Sequence, residues 1–61
     1  MRRTIVRLRK AQKLSRYMLA KRAGIAQSYV RAVESGQSDP SVSTLLKIAA
    51  ALGVKPGELL E

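Results

Sequence analysis

The 61-residue chain contains no cysteine and no histidine. Without cysteine no disulfide can hold the fold together, and this absence fits a reducing, cytoplasmic environment. Without either residue type a zinc site is not expected, and no other metal, cofactor or small-molecule ligand is indicated. A chain of this length buries only about 60% of the surface that its unfolded form exposes. Its stability must come from packing of its own elements, and we expect one domain over residues 1–61.

Long apolar runs and neighbouring acidic residues are also missing. No stretch reaches the roughly 18 apolar residues of a membrane-spanning helix, and no apolar segment of a secretion signal follows the Met-Arg-Arg start. The chain has no glycine-rich phosphate loop and no carboxylates paired closely in sequence. Few groups are therefore available for general acid–base chemistry, and an enzyme is not expected.

Acidic residues are scarce and confined to the second half of the chain. Twelve Lys and Arg oppose four Asp and Glu, which gives a net charge of +8. No acid precedes Glu34, whereas ten of the twelve basic residues do. This asymmetry favours a polyanion-binding front half over a basic surface that serves solubility alone.

Residues 15–36 have the pattern of two short helices joined by a tight turn. Gly24 falls where the first helix must stop and reverse, and glycine adopts the left-handed conformation that ends many helices. Two helices that cross steeply around a glycine-containing turn form a helix-turn-helix unit. The second helix of such a unit enters the major groove of DNA. Apolar positions that would hold the two helices together are Leu19, Ala20, Ala23, Ile25, Val30 and Val33.

Capping residues and glycines predict the helix boundaries. Thr4 is a candidate cap for a first helix from Thr4 to Lys13, and Leu14 turns inward after it. Ser15 caps a second helix that runs to Ala23. A third helix runs from Gln27 to Ser35 and ends at Gly36. Its cap position holds Ala26, which cannot accept a hydrogen bond and so costs about 1 kcal/mol relative to serine.

The last third of the chain predicts two more helices. Ser41 caps a fourth helix from Val42 to Leu52, which Gly53 ends, and Pro56 begins a short fifth helix. Together these segments predict an all-α fold of five short helices, with a helix-turn-helix formed by the second and third. The fourth helix has a wide apolar face that suits a core position, made of Val42, Leu45, Leu46, Ile48, Ala49 and Leu52.

The chain contains six segments in a characteristic order, namely I-V-R-L-R at 5–9, L-S-x-x-x-L-A-x-x-A-G-I at 14–25, Q-S-Y-V at 27–30, V-E-S-G at 33–36, D-P-S at 39–41 and T-L-L-K-I-A-A-A-L-G-V at 44–54. Taken together, these motifs resemble the phage-repressor/Cro-type, or XRE, family of helix-turn-helix domains. The resemblance implies the lambda-repressor-like fold and sequence-specific binding of double-stranded DNA by a transcriptional regulator. It also implies a homodimer on a near-palindromic operator.

The resemblance assigns base contacts to the third helix. Gln27 and Ser28 take the first two base-facing positions, and Arg31 and Ala32 face the groove further along. Glutamine can pair with adenine through two hydrogen bonds, serine can contact any base pair, and alanine can pack on a thymine methyl. For Arg31 a guanine and a phosphate are equally good partners.

Phosphate contacts are expected around this helix. Arg16 stands where the family usually has a glutamine that braces the glutamine of the third helix, and we expect it to reach a phosphate instead. The amides at the starts of the second and third helices, and the loop after Gly36, are natural phosphate sites. The full set of predicted phosphate contacts is Lys10, Ser15, Arg16, Tyr17, Gln37 and Ser38.

Two further predictions follow from the resemblance. The family often pairs an arginine of the first helix with the glutamate near the end of the third, and Arg9 and Glu34 hold these positions. We expect a partly buried pair with two hydrogen bonds. The candidates for a dimer interface are Val54, Pro56, Leu59 and Leu60.

Two other functions are alternatives to a DNA-binding regulator. A partner-controlled module, such as an antitoxin that binds a toxin and its own promoter, also uses XRE domains, although no segment suited to a toxin is evident. A cationic membrane-surface peptide is disfavoured, because the fourth helix carries Lys47 as its only charge and so lacks a basic polar side.

Overall fold

The computed structural model describes residues 1–60. No strand occurs among these residues, which confirms the all-α class. They form four α-helices followed by a short 3₁₀ helix, namely α1 (Arg2–Ala11), α2 (Arg16–Ala23), α3 (Gln27–Ser35), α4 (Val42–Leu52) and the 3₁₀ helix Pro56–Leu60.

Serine caps start two of the helices, as predicted. The Ser15 side chain accepts a hydrogen bond from the amide of Met18 at 3.0 Å, which starts α2. The Ser41 side chain accepts one from the amide of Thr44 at 3.2 Å, which starts α4. Each bond satisfies an amide that the helix itself cannot pair. The bounds of α2, α3 and α4 agree with the predicted ones, including α3, which has no serine cap.

Left-handed residues end all four α-helices. Gly24 and Gly36 end α2 and α3 with φ of 72° and 83°, and Gly53 does the same for α4. The end of α1 has a lysine instead, because Lys13 adopts a φ of 58°. The next amide, of Leu14, then donates to the carbonyl of Arg9 at 3.0 Å, and the buried Leu14 side chain fixes the reversal.

The predicted bounds of α1 are wrong by two residues at each end. The helix begins at Arg2, and Thr4 is buried within its first turn instead of capping it. The carbonyl of Met1 already accepts the amide of Ile5 at 3.1 Å, so the helix is under way before Thr4. It ends at Ala11 because the left-handed Lys13 breaks the ladder.

The predicted fifth helix is a 3₁₀ helix rather than an α-helix. The amide of Glu58 donates to the carbonyl of Lys55 at 2.9 Å, a bond that closes the tighter 3₁₀ turn. The Glu58 carboxylate accepts the amide of Lys55 at 2.9 Å and so caps the same turn. Five residues suffice to bring Leu59 into the core at 0% exposure, so the segment needs no longer helix.

The hydrophobic core draws on every helix. Its largest fully buried side chains come from α1, α2, α3, α4 and the 3₁₀ helix, in that order Ile5, Leu19, Val30, Ile48 and Leu59. The core therefore closes only when the first and last elements of the chain meet. It packs behind α2 and α3 and holds the turn between them in place.

The apolar face of α4 is narrower than predicted. Ile48, Ala49 and Leu52 are buried, but Val42 is 74% exposed and Leu46 is also exposed. Assigning Val42 and Leu46 to the core was wrong, because no element among residues 1–60 covers these two side chains. The end of α4 is held by Gln12, the residue that follows α1, whose side chain donates to the carbonyl of Leu52 at 2.7 Å.

Candidate nucleic-acid interface

The outer face of α3 carries the residues predicted to read bases. Val30 and Val33 are buried against the core, and the helical repeat turns Gln27, Ser28 and Arg31 to solvent on the opposite side. Ala32 lies at the edge of this face and is half-buried. The four side chains therefore share one side of a helix that is anchored from behind. Their contacts with bases stay predictions.

The first turn of α3 is open to an anion. Its cap residue Ala26 has an extended backbone and makes no side-chain cap bond, as predicted. The first amides of a helix point outward along its axis and carry partial positive charge. No acidic residue lies in this turn.

The start of α2 provides a second group of exposed donors. Tyr17 is exposed at the first turn, and Arg16 precedes it on the solvent side. Ser15 uses its oxygen to cap Met18, which leaves its hydroxyl hydrogen as the group it can offer a phosphate. The exposed Lys10 lies on α1.

The loop after α3 is less suited to phosphate binding than predicted. The amides of Gln37 and Ser38 both donate to the carbonyl of Ala32, at 2.9 and 3.2 Å. The expectation that backbone amides of this loop bind phosphate is therefore wrong, because those amides close the end of the helix. The exposed side chain of Gln37 and the half-buried side chain of Ser38 remain as candidate donors to a phosphate.

Arg9 and Glu34 lie side by side between α1 and α3. Arg9 Nε donates to Glu34 Oε2 at 2.7 Å, and Arg9 Nη2 donates to Glu34 Oε1 at 3.1 Å. Arg9 Nη1 donates to the carbonyl of Leu14 at 2.8 Å. Each nitrogen of this buried guanidinium therefore has a partner, which is what burial of a charge requires.

Glu34 has a second cationic partner that the sequence did not predict. Arg16 Nε donates to Glu34 Oε1 at 3.0 Å, so one carboxylate holds an arginine from α1 and another from α2. The Glu34 side chain is only 3% exposed, whereas that of Arg16 is 46% exposed. The sequence feature that could have predicted this contact is that ten basic residues precede Glu34 and no other acid does.

The two arginines control the ionisation of Glu34. Burial by itself would raise the pKa of its carboxyl group, but the hydrogen bonds and charges of Arg9 and Arg16 outweigh burial. The pKa is therefore lowered from the ordinary value of 4.5. Glu34 is ionised at neutral pH and keeps both arginines paired.

The end of α3 carries another cation that sequence reasoning missed. Arg2 Nη1 donates to the carbonyl of Ser35 at 3.3 Å, where the negative end of the helix dipole favours a positive charge. The Arg2 side chain lies across Gly36, and a β-carbon at this position would collide with its guanidinium. Glycine is needed here for its backbone conformation, whereas the exposed end of the flexible Arg2 side chain can move aside.

Exposed basic residues are concentrated in the first half of the chain, on α1, α2 and α3 and the segment between α1 and α2. Of the ten cations that precede Val33, nine are exposed and only Arg9 is buried. Within residues 1–60 there is no cluster of three or more residues suited to hold a metal ion. No helix in this described range has the length and apolar content to cross a membrane.

Two short helices joined by a turn at a left-handed glycine, the second anchored from behind and facing outward, define a DNA-binding domain of the helix-turn-helix class. The family model described as Helix-turn-helix matches residues 5–59, nearly the whole chain. The chain therefore belongs to this family, of the XRE type, as its motifs predicted.

Related sequences carry regulatory names. The chain is 40% identical over 48 residues to the immunity repressor protein of Bacillus phage phi105, covering 79% of this chain and 33% of that protein. It is 39% identical over 54 residues to the uncharacterized HTH-type transcriptional regulator y4dJ of Sinorhizobium fredii, covering 88% of this chain and 70% of that protein. The chain thus spans a third of the length of the phage repressor.

Solved structures show the same architecture. The restriction-modification controller protein C.AhdI from Aeromonas hydrophila superposes with a TM-score of 0.93 at 41% identity, over 95% of this chain and 88% of that one. The N-terminal DNA-binding domain of SinR from Bacillus subtilis gives a TM-score of 0.92 at 34% identity, over 98% of this chain and 88% of that one.

Proposed function

We propose that the chain is a repressor-like transcriptional regulator that binds double-stranded DNA in a sequence-specific manner. In this proposal α3 lies in the major groove, and two copies of the chain occupy the two halves of a near-palindromic operator. The observation that carries the proposal is the exposed side of α3, which presents Gln27, Ser28 and Arg31 while Val30 and Val33 anchor it to the core. The names of its relatives support the regulatory role.

Base recognition is assigned to the exposed side of α3. Gln27 has the donor and acceptor that match an adenine edge, and Ser28 adds a short hydroxyl beside it. Arg31 has the charge for a guanine edge or a phosphate, and the half-buried Ala32 offers a methyl group to thymine. One uncharged amide, one hydroxyl, one cation and one methyl make a selective surface, because each favours different base edges.

Phosphate contacts are assigned to the groups that border this side of α3. Arg16 and Tyr17 are exposed at the start of α2, and Lys10 is exposed on α1. Ser15, Gln37 and Ser38 complete the set through their side chains. Such contacts fix the position of the protein on the duplex and carry no sequence information themselves.

The proposal of a dimer is based on the family resemblance. The structure leaves fewer candidate interface residues than the sequence analysis named. Leu59 is wholly buried within the subunit, so assigning it to an interface was wrong. Val54 is half-buried and packs on the same core. Pro56 and Leu60 are exposed and remain the candidates for contact between two copies.

A selection on random duplexes tests the proposal and returns the preferred operator. If about six phosphates are neutralised per bound protein, log K should fall with log salt with a slope of about −5. A selected consensus with two related halves would support the dimer. An affinity that does not change with salt would contradict DNA binding. A selection with no enrichment over the random pool would contradict sequence specificity.

Gln27→Ala gives the sharpest prediction for base recognition. Loss of the amide should relax the preference at one base position by about 1–3 kcal/mol and leave the others unchanged. Gln37→Ala is the matched control, because it removes the same side chain from the loop after α3 and should weaken all sequences alike. Competition binding with single-base operator variants measures both. A uniform loss for Gln27→Ala would remove it from the base-reading set.

A further inference from the structure

The carboxylate of Glu34 ties two arginines of different exposure to one point. Arg9 is buried and uses all three guanidinium nitrogens within the protein. Arg16 donates only its Nε to Glu34, at 3.0 Å, and its side chain is 46% exposed. Four of the five N–H groups of a guanidinium belong to its two terminal nitrogens. Within residues 1–60 the two terminal nitrogens of Arg16 make no hydrogen bond, and they are therefore available to a partner molecule.

The position of Arg16 fits an anionic partner. It is the first residue of α2, where the helix dipole also favours negative charge. Its carboxylate partner lies on α3, the helix assigned to the major groove. Arginine offers a flat pair of donors that matches two oxygens of one phosphate.

We infer that Glu34 is a positioning residue that holds the guanidinium of Arg16 ready for a phosphate of the DNA backbone. This inference rests on the proposed function, because the phosphate belongs to the bound duplex. Glu34 itself does not touch DNA. It fixes Arg16 through Nε before binding, so less side-chain freedom is lost when the phosphate arrives. Because Glu34 is held in turn by Arg9, and Arg9 also donates to the carbonyl of Leu14, the position of Arg16 is set from the core.

The effect of Glu34→Gln on DNA affinity distinguishes a positioning role from simple electrostatic repulsion, because the two predict changes in opposite directions. Glu34 carries a negative charge close to bound phosphate, so removing that charge should by itself tighten DNA binding. Glu34→Gln keeps the shape of the side chain but loses the charge-assisted bond to Arg16. A positioning role predicts weaker binding, by about three- to tenfold, despite the lost negative charge. Equal or tighter binding would overturn the inference.

A double-mutant cycle then shows whether the effect passes through Arg16. Arg16→Ala should weaken binding by about tenfold and reduce the salt slope by about 0.9. Adding Glu34→Gln to Arg16→Ala should change binding less than about twofold, because the side chain that Glu34 positions is already gone. A Glu34→Gln effect of the same size in both backgrounds would show a merely structural role and overturn the inference. Circular dichroism confirms that each variant is folded at the binding temperature.

A relaxation measurement on the unchanged protein keeps the test valid if Glu34→Gln unfolds. In the free protein the Nε–H group of Arg16 should show a strong positive heteronuclear NOE, which indicates restricted motion. Arg22 is the matched control, because it is exposed on the same helix and its side chain makes no hydrogen bond or ion pair within residues 1–60. Equal mobility of Arg16 and Arg22 would overturn the inference.

The outcomes distinguish failure of the inference from failure of the proposed function. If the wild-type protein binds duplex DNA but Arg16 is mobile or uncoupled from Glu34, only the positioning role fails. If the wild-type protein binds no duplex, the proposed function fails, and the phosphate role of Arg16 fails with it.

Discussion

At the scale of single residues, Arg9 and Glu34 matter most to the position of α3. Their two hydrogen bonds join α1 to α3, and the third bond of Arg9 reaches the chain segment between α1 and α2. A buried ion pair does not necessarily add net stability over an apolar pair of the same volume. Removing one partner is a different matter, because the other charge is then left buried and unpaired.

Glu34→Ala should destabilise the domain by about 3–5 kcal/mol, because it leaves the buried guanidinium of Arg9 without its carboxylate. Asp39→Ala removes an acid from an exposed loop and should change the free energy of unfolding by less than about 0.5 kcal/mol. Thermal unfolding followed by circular dichroism compares the two. Similar midpoints for both variants would show that the pair contributes little to the folded state.

The lowered pKa of Glu34 makes part of the stability depend on pH. A carboxyl group whose folded pKa lies below its unfolded pKa stabilises the fold above the unfolded value, here about 4.5. That contribution is lost as the pH falls through the lower folded pKa. The difference in midpoint between wild type and Glu34→Gln should therefore be largest near neutral pH and shrink in acid. Thermal unfolding from neutral pH to about pH 2 measures it, and a constant difference would contradict the assigned ionisation.

At the scale of the elements, local chemistry predicts most helix boundaries. Ser15 and Ser41 begin helices, and Gly24, Gly36 and Gly53 end them, because each supplies a bond or a backbone conformation that its position requires. The ends of α1 could not be predicted in this way. No capping side chain marks its start, and its end has a lysine in the conformation that usually calls for glycine.

Ala26→Ser should stabilise the domain by about 1 kcal/mol, because serine supplies the missing acceptor at the start of α3. Ala26 already has the extended backbone of a cap residue, with φ of −72° and ψ of 143°. Ser15→Ala is the reciprocal control and should cost a similar amount at the start of α2. Chemical denaturation of the two variants gives both values. No gain from Ala26→Ser would mean that solvent already satisfies the first amides of α3.

At the scale of the whole molecule, the sequence predicts the class, the outward side of α3 and, through the family resemblance, the Arg9–Glu34 pair. It does not predict contacts that depend on how the elements pack. Periodicity identifies Val30 and Val33 as inward because the period is local to one helix. It cannot tell that Val42 is left uncovered, since that depends on which elements pack on α4. The Arg16–Glu34 contact is missed for the same reason, because it joins two helices whose spacing only the fold sets.

Alanine substitutions at Leu59 and Leu60 distinguish a residue of the subunit core from a candidate for the contact between two copies. Leu59→Ala should cost about 2–5 kcal/mol, because its side chain is fully buried. Leu60→Ala should leave monomer stability within about 0.5 kcal/mol, because Leu60 is 67% exposed. Thermal unfolding at low protein concentration measures the first effect, and sedimentation of Leu60→Ala measures any loss of dimer. A folded, stable Leu59→Ala variant would contradict its place in the core.

The hydrogen bond from Gln12 to the last turn of α4 joins residues 40 positions apart, and Leu59 completes the same core from beyond α4. The turn between α2 and α3 thus takes its shape from both termini of the described chain. Helices of eight and nine residues do not persist alone in water. A synthetic peptide of residues 16–35, or the same segment grafted into a foreign loop, would carry every base-reading side chain and present none of them in a fixed arrangement.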